Sequence, residues 1–188
     1  KLRGAFSLVM MREDELIGVR DPNGFRPLWI GSLGESTILC SETCALDIIG
    51  AEYLRDIEPG EVVILTEQGI RSLKPFPKQN PRFCIFEYIY FARPDSNMEH
   101  RNVYEIRKAI GAQLAIESPV DCDVVVPVPD SGVPAALGFA AQSNKPFEYG
   151  IIRNHYVGRT FIQPTDKTRN LGVKRKHNPN RGVLEGKR

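Results

Sequence analysis

The alternation of apolar and polar positions changes character near the middle of the chain. Between residues 4 and 73 the apolar residues fall in short runs, "GAFSLVMM", "LIGVRD", "PLWIG", "STILCSE", "EVVILTE" and "IRSL", separated by turns such as "REDE" and "QG". Short runs rich in β-branched and aromatic residues, punctuated in this way, predict an antiparallel, hairpin-rich half. One short helix is predicted at "TCALDIIG", where Thr43 can cap and Gly50 can stop it. The segment "KPFPKQNPRF" then carries three prolines in ten residues, which neither continue a helix nor join a ladder. It predicts a boundary between a first domain, residues 1–80, and a second, residues 81–188.

Beyond the boundary the pattern alternates between helix and strand. "NVYEIRKAIGAQLAIES" puts Val103, Ile106, Ile110 and Leu114 on one helical face. The continuously apolar "DVVVPVP" reads as a strand buried in a parallel sheet. After the turn "PDSG", "VPAALGFAAQS" reads as a second helix and "FEYGIIR" as a second strand. Strand, glycine turn, helix, strand is a βαβ unit. The fold class expected is therefore α+β followed by α/β.

The 188 residues are 41% hydrophobic and 26% charged, enough apolar material for one substantial core or two modest ones. No window approaches the roughly 18 consecutive apolar residues of a membrane span, and residues 1–20 lack the apolar stretch of a secretory signal. A cytoplasmic chain with no membrane partner is expected. The four cysteines, Cys40, Cys44, Cys84 and Cys122, form no CxxC pair, so spacing alone reads each as a small buried hydrophobe.

Charge changes the picture more. The net charge is only +2, but Arg153–Arg188 holds ten Lys or Arg against two acids, leaving the first 152 residues net acidic. Such segregation marks a surface facing a polyanion, either nucleic acid or a small substrate dense with phosphate. The turn Asp130–Ser131–Gly132 lies at the carboxyl end of the predicted strand and the start of a helix, where α/β sheets bind ligands. Free N–H groups there suit phosphate, and the acid and hydroxyl suit a metal ion. An ordinary tight turn would use the same residues. Together with the basic segment "RNHYVGRTFIQP" that follows the next strand, the phosphate reading gains weight.

Read together, "IFEYIYFARPDS", "VVPVPDSGVPAALGFA", "RNHYVGRTFIQP" and "LGVKRKHNP" resemble the glutamine phosphoribosylpyrophosphate amidotransferase family. "RDPNGFRPLWIG" and "CSETCALD" resemble the later part of that family's N-terminal glutaminase domain. The resemblance covers essentially the whole chain, in the family's order. It implies the C-terminal part of an N-terminal-nucleophile (Ntn) type glutaminase domain followed by the first part of a type I phosphoribosyltransferase domain. It also implies a glycosyltransferase of purine biosynthesis, in which glutamine-derived ammonia displaces pyrophosphate from 5-phosphoribosyl 1-pyrophosphate to give 5-phosphoribosylamine.

The resemblance further implies roles for particular residues. Asp130, Ser131 and Gly132 match the pyrophosphate loop, with Ser131 near Mg²⁺. The segment from Arg153 to Lys176 matches a flexible loop that closes over the substrate, and it is expected to lack order without ligand. In it, Arg153, Arg159 and Lys176 would meet phosphate, and Tyr156, Phe161 and Ile162 would line an ammonia path. Cys84, three residues before "EY", matches one thiolate ligand of the [4Fe–4S] cluster that some members carry. Glutamine and phosphoribosyl pyrophosphate would be substrates, purine nucleotides feedback inhibitors, and the protein a homo-oligomer.

In the family, the nucleophilic cysteine precedes the region that begins here with "KLRGAF", and an acidic metal-binding strand follows the region that ends here with "GVLEGKR". The resemblance thus implies an interior fragment, inactive by itself and with no catalytic residue of its own. The rival reading is an α/β nucleic-acid module that uses residues 153–188, in which basic side chains interleave with Tyr156 and Phe161. The acidic first half would repel such a polymer.

Overall fold

The computed structural model describes residues 2–158 and 165–188. The chain divides into two compact units, Lys1–Val103 and Tyr104–Arg188. In the first, strands β1 (Ser7–Arg12), β2 (Glu15–Arg20), β3 (Trp29–Leu33) and β4 (Ser36–Cys40) precede helix α1 (Cys44–Ile49). Strands β5 (Glu52–Asp56), β6 (Val62–Thr66) and β7 (Gly69–Leu73) follow it. All pair antiparallel, in two sheets ordered β1-β2-β6-β7 and β4-β3-β5. Leu28, Ile30, Ile57 and Val63, each no more than 2% exposed, form the core, with Leu39 packed against them. Strand β6 is apolar from Val62 to Leu65, and its pleat puts Val63 and Leu65 on the inward face.

Strand β5 was not among the predicted elements. Its sequence "EYLRD" carries three charges in five residues and pairs along β3 in spite of them, with a register shift at Ile30/Gly31. Helix α1 ends as predicted, at Gly50 with φ +70°. Its start differs: Thr43 makes no side-chain cap, and its hydroxyl instead accepts the amide of Asn97 at 2.8 Å. A partner distant in sequence takes the capping oxygen.

A buried charge network sits at the start of β6. Glu61 is 2% exposed and accepts both Arg55 Nη atoms (2.9 and 2.7 Å), the Ser72 hydroxyl (2.7 Å) and the Glu58 amide (2.7 Å). Burial alone would push this carboxyl up, but Arg55, Ser72 and the Glu58 amide together hold it below its ordinary 4.5. A carboxylate depressed in the folded state contributes stability that is complete above the unfolded value and lost as pH falls through the folded one. Glu61→Gln should therefore cost roughly 1–3 kcal/mol at pH 7. It should also remove the part of the wild-type stability loss that develops below about pH 4.5. Urea unfolding at pH 7 and pH 3.5 checks both; an unchanged acid slope in the variant would assign that loss to other groups.

The segment after the prolines contains one π-helical turn, Glu87–Phe91, then the short strands β8 (Asn97–Met98) and β9 (Arg101–Asn102). Glu87 is fully buried in an ion pair with Arg26, whose guanidinium also lies 4.1 Å over the Phe91 ring. Burial pushes the Glu87 carboxyl up against the opposing pull of Arg26. Glu42 Oε2 accepts the Arg93 amide and the Ser96 hydroxyl, each at 2.8 Å. The stretches "RDPNGFRPL", "CSETCALD" and "IFEYIYFARPDS" are thus bonded to one another within the first unit.

Helix α2 (Val103–Glu117), which lies in the second unit from Tyr104 onward, leads to α3 (Val133–Ser143). The buried positions of α2 are Val103, Arg107, Gly111 and Ala115, whereas Ile110 and Leu114 are 43% and 50% exposed. The face predicted from Val103, Ile106, Ile110 and Leu114 is therefore corrected. A Cβ on Gly111 would lie 1.8 Å from the Ala135 carbonyl oxygen, and one on Gly138 1.9 Å from that of Lys108. Backbone meets backbone where α2 and α3 cross, and only the small-residue stripe permits it.

The predicted parallel pairing is present as a bridge between Val125 and Phe147, with the Val125 amide donating to Pro146 (2.8 Å) and the Glu148 amide to Val125 (3.1 Å). It goes no further along "DVVVPVP", where Pro127 and Pro129 have no N–H to give. Strand β10 (Ile151–Arg153) pairs antiparallel with β11 (His177–Pro179), which follows helix α4 (Asp166–Lys176) and precedes α5 (Arg181–Leu184).

Candidate functional site

The site is built on the turn between the Val125 bridge and α3. The Gly132 amide donates to the Val128 carbonyl (3.0 Å) and that of Val133 to the Asp130 carbonyl (3.2 Å), closing the turn into the first helical residues. The Pro129–Asp130 peptide is cis. Glycine is required at 132, because a Cβ there would lie 2.8 Å from the Val128 carbonyl oxygen. Asp130 and Ser131 stand exposed on the rim.

One basic residue predicted for the site meets this turn. Arg153, at the end of β10, forms an ion pair through Nη1 with Asp130 Oδ2. Its Nε is buried and has no hydrogen-bond partner among the described residues, and the same holds for Nε2 of His177. These two residues are cross-strand partners in the β10–β11 register. Sequence reasoning did not single out His177; a lone histidine in "KRKHNP" gives no signal until the ribbon pairs it with Arg153.

Lys176 closes α4, half-buried, and its carbonyl accepts the Asn154 amide at 2.7 Å. The expectation that this basic segment lacks order is corrected over Asp166–Lys176, which is helical. Thr165 caps it by accepting the Thr168 amide, and Lys174, Arg175 and Lys176 occupy the last turn, where cations suit the helix dipole. Tyr156 is fully exposed. Arg159, Phe161 and Ile162 lie outside the described residues.

Two cofactor expectations meet the geometry differently. The Asp130 carboxylate and Ser131 hydroxyl are hard oxygen donors adjacent on one turn, which suits a cation that takes most of its ligands from water and substrate phosphate. Cys84 is half-buried in the first unit, and it is a free thiol, as are Cys40, Cys44 and Cys122. Among the described residues no three His, Cys, Asp or Glu side chains group as a metal site. Cys84 can supply one thiolate of a cluster, and a four-thiolate set is not assembled by these residues.

Fold and site together define a mixed α/β protein, in which a unit of antiparallel sheets precedes an α/β unit carrying an acid–hydroxyl–glycine turn faced by arginine. The chain is 58% identical, over its whole length, to the amidophosphoribosyltransferase of Rhizobium etli, and 50% identical to that of Bacillus subtilis. It is 56% identical to the chloroplastic amidophosphoribosyltransferase 1 of Arabidopsis thaliana. It spans 39%, 39% and 33% of those proteins. The solved structure of B. subtilis glutamine phosphoribosylpyrophosphate amidotransferase complexed with ADP and GMP matches 99% of the chain with a TM-score of 0.90 at 49% identity; the match spans 41% of that chain. No family model matches the chain. Its close homologues are amidophosphoribosyltransferases, and it is related to them along its whole length.

Proposed function

We propose that this chain serves an amidophosphoribosyltransferase, the glycosyltransferase that makes 5-phosphoribosylamine in purine biosynthesis. Residues 1–80 belong on this reading to a glutaminase domain and residues 81–188 to a phosphoribosyltransferase domain. Glutamine hydrolysis supplies ammonia, whose lone pair forms a bond to carbon 1 of phosphoribosyl pyrophosphate. The bond from carbon 1 to the pyrophosphate oxygen breaks, the oxygen leaves with the electron pair, and the new ammonium loses a proton. The observation that carries the reading is the Asp130–Ser131–Gly132 turn, faced by Arg153, in a chain 58% identical to one of these enzymes.

On this reading the turn cradles pyrophosphate, and Ser131 would hold Mg²⁺, which when bound neutralises charge on the leaving group. Arg153, Arg159 and Lys176 contact phosphate oxygens, and Tyr156 borders the ammonia path. Cys84 serves as one ligand of a [4Fe–4S] cluster. Purine nucleotides act as feedback inhibitors of a homo-oligomer, in keeping with the ADP and GMP in the B. subtilis complex. Among the described residues no helix is long and apolar enough to cross a membrane. Cytoplasmic placement follows the bacterial relatives, and plant relatives are chloroplastic. The nucleic-acid alternative gains no support from relatives that match the whole length of this chain.

The intact protein, given glutamine, phosphoribosyl pyrophosphate and Mg²⁺, should release pyrophosphate and glutamate together. Arg159→Ala should lower the phosphoribosyl pyrophosphate-dependent glutamine turnover by about 10²-fold, the scale of a contact made chiefly in the closed, reactive state. Iron and labile sulfide in the same preparation report on Cys84. Glutamine use without pyrophosphate release would sink the reading, and wild-type kinetics would remove Arg159 from the site.

A further inference from the structure

We propose that His177 is the second arm of an oxyanion subsite whose first arm is Arg153, and that this subsite takes one phosphate group of the phosphorylated substrate. The inference deepens the proposed function and rests on it for the identity of that substrate.

Two buried nitrogens without partners lie on two residues that face each other across one ribbon. Arg153 and His177 are register partners in β10 and β11. Side chains opposed in an antiparallel pair leave the same face with Cβ atoms about 5 Å apart. Arg153 Nε and His177 Nε2 are each shielded from solvent and without an acceptor or donor among the described residues. A buried polar nitrogen left without a partner is costly, so a ligand that bonds both nitrogens would recover that cost. A phosphate oxygen, with several lone pairs, accepts from both the guanidinium Nε and an imidazole carrying its proton on Nε2.

The local charge is mixed: Asp130 Oδ2 holds one arm of the Arg153 guanidinium, which leaves Nε for a further acceptor. Lys176 precedes His177 at the end of α4, and the Asp130–Ser131–Gly132 turn adjoins the same guanidinium. His177 would touch the ligand directly and is in that sense a binding residue; nothing assigns it a proton-transfer role.

The test uses the intact protein, with inorganic phosphate, pyrophosphate and phosphoribosyl pyrophosphate as probes in calorimetric titration. His177→Leu keeps bulk and removes the ring nitrogens. It should weaken pyrophosphate and phosphoribosyl pyrophosphate binding about tenfold, as expected for a lost bond to a charged group. His177→Gln restores an N–H donor and should recover affinity to within about threefold of wild type. The ¹⁵N resonance of His177 Nε2 should move on adding inorganic phosphate, and phosphoribosyl pyrophosphate added in its place should move it in the same direction. Wild-type affinity in His177→Leu, equal weakening in His177→Gln, or a His177 Nε2 resonance that phosphoribosyl pyrophosphate leaves unmoved would each overturn the proposal. Failure of the wild-type protein to bind phosphoribosyl pyrophosphate at all would instead overturn the proposed function, and the inorganic phosphate arm still decides the subsite.

Discussion

Gly138→Ala should destabilise the second unit by about 3 kcal/mol, the upper range for forcing extra volume into a packed contact. Alanine is the better helix former by roughly 1 kcal/mol, so propensity alone predicts the opposite sign. The deciding magnitude is steric: the new Cβ would stand 1.9 Å from the Lys108 carbonyl oxygen and 3.0 Å from the Ala112 amide nitrogen. Neither atom is the end of a flexible side chain, so α2 and α3 must separate by more than an ångström to accept it. Gly111→Ala meets the reciprocal clash, 1.8 Å from the Ala135 carbonyl oxygen. Gly182→Ala in α5, where the nearest outside atom is Asn180 Oδ1 at 3.8 Å, should be neutral and serves as the control. Urea unfolding of the three variants of the intact protein gives the answer. A Gly138→Ala protein as stable as the Gly182→Ala control would mean that the two helices do not touch there.

Arg20→Ala should cost the first unit a further 3 kcal/mol or so, because three bonds from a charged donor are lost together and carbonyls are left buried. Arg20 is 5% exposed, and its guanidinium donates to the carbonyls of Arg26 (2.9 Å), Ile57 (2.7 Å) and Gly24 (3.2 Å). Those carbonyls belong to the loop "NGFRP" and to the residue just after β5, so one side chain ties the turn to the core. The neighbouring Asp21, fully buried, accepts the amides of Asn23 (2.9 Å) and Phe25 (3.1 Å). Gly24, at φ +64°, completes the turn in a conformation that side chains disfavour. Arg20→Lys should rescue little, since a compact ammonium cannot span three divergent acceptors as the planar fork does. The check is the urea midpoint for both variants; a lysine variant within about 0.5 kcal/mol of wild type would assign the effect to charge alone.

Much of the candidate site was legible before the fold. Asp130, Ser131 and Gly132 stood out because a strand, an acid–hydroxyl–glycine turn and a helix are contiguous in sequence, and local chemistry alone shapes such a turn. Arg153 was legible as a charge but not as the partner of Asp130, 23 residues away. His177 was not legible at all. Its meaning comes from a register between β10 and β11 that the intervening α4 makes possible, and no local period announces it.

The hydrophobic pattern by itself determined the kind and order of most elements up to α3, because strand and helix periodicities and glycine stops act over a few residues; it gave no sign of β5 or α4. It placed β1, β2, β3, β4, β6 and β7, the stop of α1 at Gly50, and the sequence of α2, turn and α3. Only the tertiary structure decided which face of α2 is buried. Apolar size pointed to Ile110 and Leu114, yet the close crossing with α3 selected Gly111 and Ala115, since helix backbones in contact leave no room for a branched side chain. The same holds for "EYLRD", which pairs as β5 because β3 offers an open edge, and for Thr43, whose hydroxyl serves Asn97 rather than its own helix. Partners distant in sequence made these choices, and their energies outweigh the local preferences that a linear reading can see.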